Sequence, residues 1–257
     1  MKKCWKLLLV LTLALLTAIP VLAAETQLSA AGWVKEGGNT FYYRKGKQVT
    51  GWQKISGKYY YFDDGILEKN TIAGSKKEGY YYVDQDGVRI TDKQIAMAVK
   101  FVLKHSRMND TPRDRLRDCY DVLRNYRYQR IYRNNPSAGM VPSYASYMFT
   151  HRRGNCYRYA SAYAYIARVL GFKVRVCAGG VNTRNGRYLS PHGWCEVKIG
   201  DTWKMVDCSL GRHHWRHNFF LTTREKYPFH ARCNKIFTMK IKNHKIHWTT
   251  KRDGWHK

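Results

Sequence analysis

Three side chains of the types needed for nucleophilic acyl transfer occur in order along this chain. They are Cys156 in Gly-Asn-Cys-Tyr-Arg-Tyr-Ala, His192 in Pro-His-Gly-Trp-Cys-Glu-Val and Asp207 in Trp-Lys-Met-Val-Asp-Cys-Ser. A thiolate attacks an amide carbonyl well when a base takes its proton and an acceptor orients that base, so the three form a working unit only if they share one pocket. Carboxylates are scarce in this part of the chain: beyond Asp121 the only acidic side chains are Glu196, Asp201, Asp207, Glu225 and Asp253. Asp201 falls in a turn and Glu196 lies two pleats from the imidazole on its own strand, which leaves Asp207 as the orienting group.

The elements that must position these residues are readable from local pattern. Asn155 caps a predicted helix running from Cys156 to Leu170, and Gly171 closes it in the left-handed conformation. Cys156 then sits in the first turn, where unpaired N–H groups and the helix dipole favour a thiolate and would also stabilise the oxyanion of a tetrahedral intermediate. A strand follows over Lys173 to Ala178, and a loop rich in Gly, Asn and Arg leads to His192. His192 to Ile199, the turn Gly200-Asp201 and Thr202 to Ser209 read as a hairpin. With Ile199 opposite Thr202, Trp194 faces Asp207 and His192 faces Ser209. His192 and Asp207 are then diagonal neighbours on one face with Cα atoms roughly 7 Å apart. Cys195 and Cys208 fall diagonally on the reverse face, near the upper limit for a disulfide.

Upstream, Thr91-Asp92-Lys93-Gln94 reads as a capping box and Thr111-Pro112 opens a second helix with Leu116, Cys119, Tyr120 and Leu123 on one face. The segment from Arg133 to Thr150, with Pro136 and Pro142, reads as loop. Cys233 to Lys257 alternates basic and aromatic residues, as in a final strand with a frayed basic tail or a second contact to an anionic polymer.

The chain has 257 residues. It opens with a basic head, an apolar run from Leu7 to about Ile19 and the small-residue site Pro20-Val-Leu-Ala-Ala24, the pattern of a secretory signal peptide over 1–23. Its apolar body is shorter than the roughly 20 residues a membrane span requires, so no membrane span is expected after cleavage. Cys4 precedes that body, which argues against a lipid anchor. Charge is uneven: Glu25 to Arg89 carries 10 basic and 8 acidic side chains, Thr91 to Lys257 carries 33 and 10. Such a field draws polyanions, which for an exported protein means envelope polymers; no nucleic-acid motif is present and no nucleic-acid partner is expected. Of the 7 cysteines, six lie beyond the signal, and setting Cys156 aside as nucleophile leaves an odd number that cannot all pair within the chain. Cys119 is expected as a buried free thiol. His213, His214 and His217 lack metal-ligand spacing to any close Cys pair and read as surface groups; no metal and no cofactor is expected.

Residues 30–90 are a repeat. Gly32-Trp33 precedes Phe41-Tyr-Tyr43, Gly51-Trp52 precedes Tyr59-Tyr-Tyr61, and Tyr80-Tyr-Tyr82 forms a third cluster, spaced by 18 and 21 residues and followed by Gly46, Gly65 and Gly87. Each unit is one aromatic hairpin that must stack on its neighbours. These units resemble the cell-wall-binding repeats of Gram-positive surface proteins, including the choline-binding type. That resemblance implies a wall polymer as partner, choline-bearing or another anionic glycopolymer, and an aromatic cage falling on Trp33, Phe41, Trp52 and Tyr59. In the third unit Ile72-Ala73 replaces Gly-Trp.

Residues from about Arg115 to Tyr227 resemble the transglutaminase-like superfamily. The resemblance rests on Gly154-Asn155-Cys156 with Tyr159-Ala160, Leu170-Gly171-Phe172, His192 with Trp194, Trp203 with Val206-Asp207, and Asn218-Phe-Phe-Leu221. It implies an α+β, papain-like domain over 91–257, its Cys-bearing helix packed on an antiparallel sheet. It also implies catalytic roles for Cys156 (nucleophile), His192 (base, then acid) and Asp207 (orienting acceptor), with no residue matched to a side-chain oxyanion donor. The expected function is that of a secreted, wall-associated cysteine protease, amidase or transamidase acting on a peptide or protein through a thioester. Hydrolysis is favoured over amine cross-linking because water is the default acceptor in an open cleft. The alternative is a non-catalytic adhesin using the same domain as a binding platform.

Overall fold

Short runs of adjacent aromatic residues, directed to alternate faces, build strands at the N-terminal end, and 3.6-residue periodicity takes over from Lys93 onwards. The computed structural model describes residues 31–131, 135–183 and 188–257; the expected signal peptide and Cys4 lie outside the described residues. Three antiparallel hairpins come first. They are β1 (Ala31–Glu36) with β2 (Asn39–Arg44) and the short β3 (Lys47–Gln48), then β4 (Gly51–Ile55) with β5 (Lys58–Asp63) and β6 (Ile66–Leu67), then β7 (Thr71–Ser75) with β8 (Gly79–Val83). Trp33 pairs with Tyr42, Trp52 with Tyr61, and Ala73 with Tyr81, so Ala73 stands where the first two units place tryptophan.

The body begins with α1 (Lys93–His105) and α2 (Pro112–Leu123), followed by β9 (Arg127–Tyr128), α3 (Val141–His151), β10 (Arg153–Gly154) and α4 (Cys156–Val169). The chain then runs through β11 (Val174–Asn182), β12 (Ser190–Ile199), β13 (Thr202–Val206), the single turn α5 (Cys208–Gly211), β14 (Phe220–Thr222), β15 (His230–Lys242) and β16 (Lys245–Arg252). Six strands form one antiparallel sheet in the order β14-β13-β12-β11-β15-β16. Helix α4 lies on β11 and β12 and is covered by α1, α2 and α3, so every one of its residues except Arg158 is buried. This is the α+β arrangement of a Cys-bearing helix on an antiparallel sheet, preceded by small hairpins.

Several local expectations need correction. Residues 141–151 are helical, not loop: Pro142 lies in the first turn, where its missing N–H costs no hydrogen bond, and Val141, Ala145 and Met148 bury one face. The cap of α1 is Asp92, whose carboxylate accepts from Ile95 N at 2.9 Å, while Gln94 donates to Ser146 instead of reaching back to Thr91. Strand β11 runs on through Gly179, because a Cβ there would strike the Arg232 carbonyl on β15 and only glycine admits that approach. The 202–209 segment stops being strand at Val206, and Ser209 lies in a helical turn. All six cysteines among the described residues are free and buried, so Cys195 and Cys208 are not bonded. The C-terminal stretch is a strand pair, with Trp248 donating to Tyr165 OH on α4 at 3.1 Å.

The third hairpin belongs as much to the body as to the repeat. Ile72, Tyr82 and Ile90 are buried in the same apolar cluster as α1 and α4. Tyr82 OH donates to Asn70, whose amide donates to the carbonyl of Gly171 at 2.7 Å. Gly171 has φ of 92°, as a left-handed helix terminus requires.

Candidate active site

Cys156 is the first residue of α4, and the chain is clamped just ahead of it. Gly154 pairs in parallel with Tyr128, its carbonyl accepts from Gln129 N at 2.8 Å, and the Asn155 side chain accepts from Arg158 N. The sulfur is thereby held at the amino end of the helix, in a residue only 3% exposed. Gly193 of β12 lies against the Tyr157 ring, so closely that any Cβ there would overlap it, and this lets the strand bearing His192 approach the helix start.

His192 Nε2 lies 2.6 Å from Asp207 Oδ2. The Cys156 side chain is close enough to the imidazole to interact with it electrostatically. Sulfur, imidazole and carboxylate thus meet in one pocket. Asp207 caps α5, and its two oxygens collect four donors or partners: His192 and Tyr227 OH (2.7 Å) on Oδ2, Ser209 OH (2.9 Å) and Leu210 N (3.1 Å) on Oδ1. Burial opposes its negative charge, yet His192, Tyr227 and Leu210 outweigh that penalty and hold the carboxyl below its ordinary range. Burial likewise opposes an imidazolium at His192, but Asp207 and Cys156 raise its pKa to about 10. Trp194 stacks on the imidazole and on the Tyr227 ring.

The competing carboxylate is engaged elsewhere. Glu196, fully buried, is held by Arg175 at 2.5 Å, Arg224 at 2.8 Å and the Trp194 indole at 3.1 Å. Burial pushes the Cys119 thiol up to about 12 and those of Cys177, Cys195 and Cys208 well up.

Three site residues escaped the sequence reading. Tyr227 and Ser209 were detectable only by asking what would satisfy a buried carboxylate. Tyr128 is the third: its ring stacks on Tyr159, it is 39% exposed, and its hydroxyl is close enough to Cys156 for the two to interact. Burial first, then Cys156, pushes that phenol up to about 12.

On the hairpins, the four expected cage residues do not form one cage. Trp33 contacts Tyr42 and Tyr60 with ring centres 5.0 Å apart, and Phe62 at 5.9 Å. Phe41 pairs opposite Val34 on the other face of its strand, so strand alternation gives its expected place to Tyr42. Trp52 contacts Tyr61 and Tyr81 in a separate group. One set of potential metal ligands lies nearby: Asp84, Asp86 and His244 place their ligand atoms within 4.8 Å of one another. Asp84 already accepts from two backbone amides and from His244, whose other nitrogen is 2.9 Å from Lys58 Nζ. That arrangement serves as a clasp between hairpins and body.

Residues 100–208, a span containing Cys156, His192 and Asp207, match the family model described as Transglutaminase-like superfamily. Residues 50–65 match the model described as "Putative cell wall binding repeat". No curated protein matches the chain. Among solved structures, the chain is similar to a choline binding domain from Streptococcus pneumoniae, with 28% identity, a TM-score of 0.22, and coverage of 24% of this chain and 76% of that one. It is similar to a "Putative Cysteine Protease from Cytophaga hutchinsonii" at 23% identity and TM-score 0.34, covering 46% of this chain and 37% of that one. It is also similar to the arylamine-N-acetyltransferase from M. tuberculosis at 15% identity and TM-score 0.37, covering 63% and 67%. No helix among the described residues is long and apolar enough to cross a membrane.

Proposed function

We propose that this chain is an exported, wall-associated cysteine enzyme that transfers acyl groups from amide or peptide carbonyls through a thioester, with water as the main acceptor. Residues 1–23 direct export, 30–90 hold the wall polymer and 91–257 perform the chemistry. The observation that carries the reading is the contact sequence Cys156 to His192 to Asp207, closed by a 2.6 Å hydrogen bond at the amino end of a buried helix. The repeat match over 50–65 supports the wall partner.

The geometry supports the following course. The sulfur adds to the carbonyl carbon while His192 holds the thiol proton. The oxyanion takes the Cys156 N–H, and the Tyr128 hydroxyl turns from the sulfur to donate to it. His192 passes its proton to the leaving nitrogen, the C–N bond breaks and a thioester remains. Water then loses a proton to His192 and adds to the thioester, the C–S bond breaks to release the acid, and His192 returns the proton to the sulfur. Asp207 stays ionised throughout and fixes the ring.

The test is incubation with glutamine-containing peptides, with and without a labelled primary amine, followed by mass analysis, alongside iodoacetamide labelling at neutral pH. Conversion of glutamine to glutamate or backbone cleavage bears out hydrolysis, and incorporation of the amine, with ammonia released in the same way, selects cross-linking. Alkylation of Cys156 no faster than an ordinary thiol, with no product formed, would leave a binding platform and end the enzymatic reading.

A further inference from the structure

The second aromatic group already holds a cation. The Arg89 guanidinium carbon lies 3.9 Å from the ring centre of Tyr81, 5.0 Å from Tyr59 and 5.8 Å from Trp52. Two features show that this placement is built in. The Arg89 backbone donates to the Tyr59 carbonyl at 2.9 Å and bridges to Val83, so its Cα is fixed between the second and third hairpins. Its Nε is buried without a hydrogen-bond partner, and among the described residues no carboxylate pairs with it. The rings, by their electron-rich faces, are what hold the charge. Around Trp33, Tyr42 and Tyr60 no such cation lies over the rings among the described residues, and Trp33 is 43% exposed.

The two pockets differ for a reason visible in the third hairpin. There Ala73 occupies the tryptophan position, and Ile72 and Tyr82 are committed to the body's core. The chain leaving this hairpin brings Arg89 back over Trp52, Tyr59 and Tyr81, so a tethered guanidinium takes the space. A tethered group competes at an effective concentration in the millimolar range or above, so a free quaternary ammonium of ordinary affinity does not displace it.

We propose that the Trp52–Tyr59–Tyr81 pocket is a cation site filled from within by Arg89, which confines external quaternary-ammonium ligands to the pocket around Trp33. The second clause rests on the wall-binding reading of the hairpins; the first does not.

Choline titration of the full chain, followed calorimetrically, tests both. Arg89→Ala is expected to bind one more choline per chain than the unmodified protein, and adding Trp52→Ala is expected to remove that extra site. Arg89→Gln, which keeps much of the aliphatic stem, serves as the second variant should the alanine chain not fold. Choline binding by the unmodified protein that Trp52→Ala abolishes would overturn the proposal. So would an unchanged stoichiometry in an Arg89 variant whose far-ultraviolet circular dichroism matches the parent. Absence of any Trp33-dependent site in the parent, together with a new Trp52-dependent site in the variant, would defeat the wall-binding reading while upholding the internal cation.

Discussion

At Asp207 four partners converge on two carboxylate oxygens, and the arrangement makes the group an acceptor that stays charged. Asp207→Asn keeps the shape but offers the imidazole an amide, and the expected result is a loss of kcat of at least about 10²-fold with the fold retained. Peptide hydrolysis or iodoacetamide kinetics measures it. The two ionisations also predict a stability profile. His192 has its pKa raised from 6.5 to about 10, so its contribution is fully present below pH 6.5 and lost as pH rises through about 10. Asp207 is lowered from 3.8, so its contribution is present above that value and lost as pH falls through the lowered one. The difference in melting temperature between the parent and His192→Gln should therefore be largest between about pH 4 and 6.5 and shrink on either side. A difference that grew towards pH 10 would contradict the assignment.

Among the elements, α4 carries the most consequence, because its amino end is both a structural terminus and the place where the sulfur sits. Asn155→Ala removes the cap and should cost about 0.5–2 kcal/mol in denaturant unfolding. It should also slow Cys156 alkylation more than that loss explains, since the uncapped first turn no longer fixes the backbone that carries the sulfur. The β12–β13 register, with Ile199 opposite Thr202, was legible from a two-residue turn and alternation. The departure of Asp207 from the strand was not, because ending at Val206 depends on Ser209, Leu210 and Tyr227 being in place to receive the carboxylate. Helix α3 was hidden by its proline, which reads as a breaker until the start of the helix is known.

For the whole molecule, the third hairpin shares its core with the helices, so hairpin and body should unfold together. Tyr82 is fully buried, and Tyr82→Ala should cost about 3–5 kcal/mol and lower a single transition seen by both tyrosine fluorescence and far-ultraviolet circular dichroism. Two separated transitions in the parent would show that the docking contributes little.

Local pattern alone determined the aromatic hairpins, the capped helix with Cys156 at its head, the paired strands behind His192 and the strongly basic charge of the body. Each depends on interactions within a few residues of chain, which periodicity and caps record directly. Tertiary structure alone decided that Tyr128 reaches the sulfur from 28 residues upstream, that Tyr227 shares the carboxylate, and that Arg89 fills the second aromatic pocket. Those contacts join segments distant in sequence, and their partners are chosen by packing and by the need of buried polar and charged groups for company, which leave no periodic trace in a single chain.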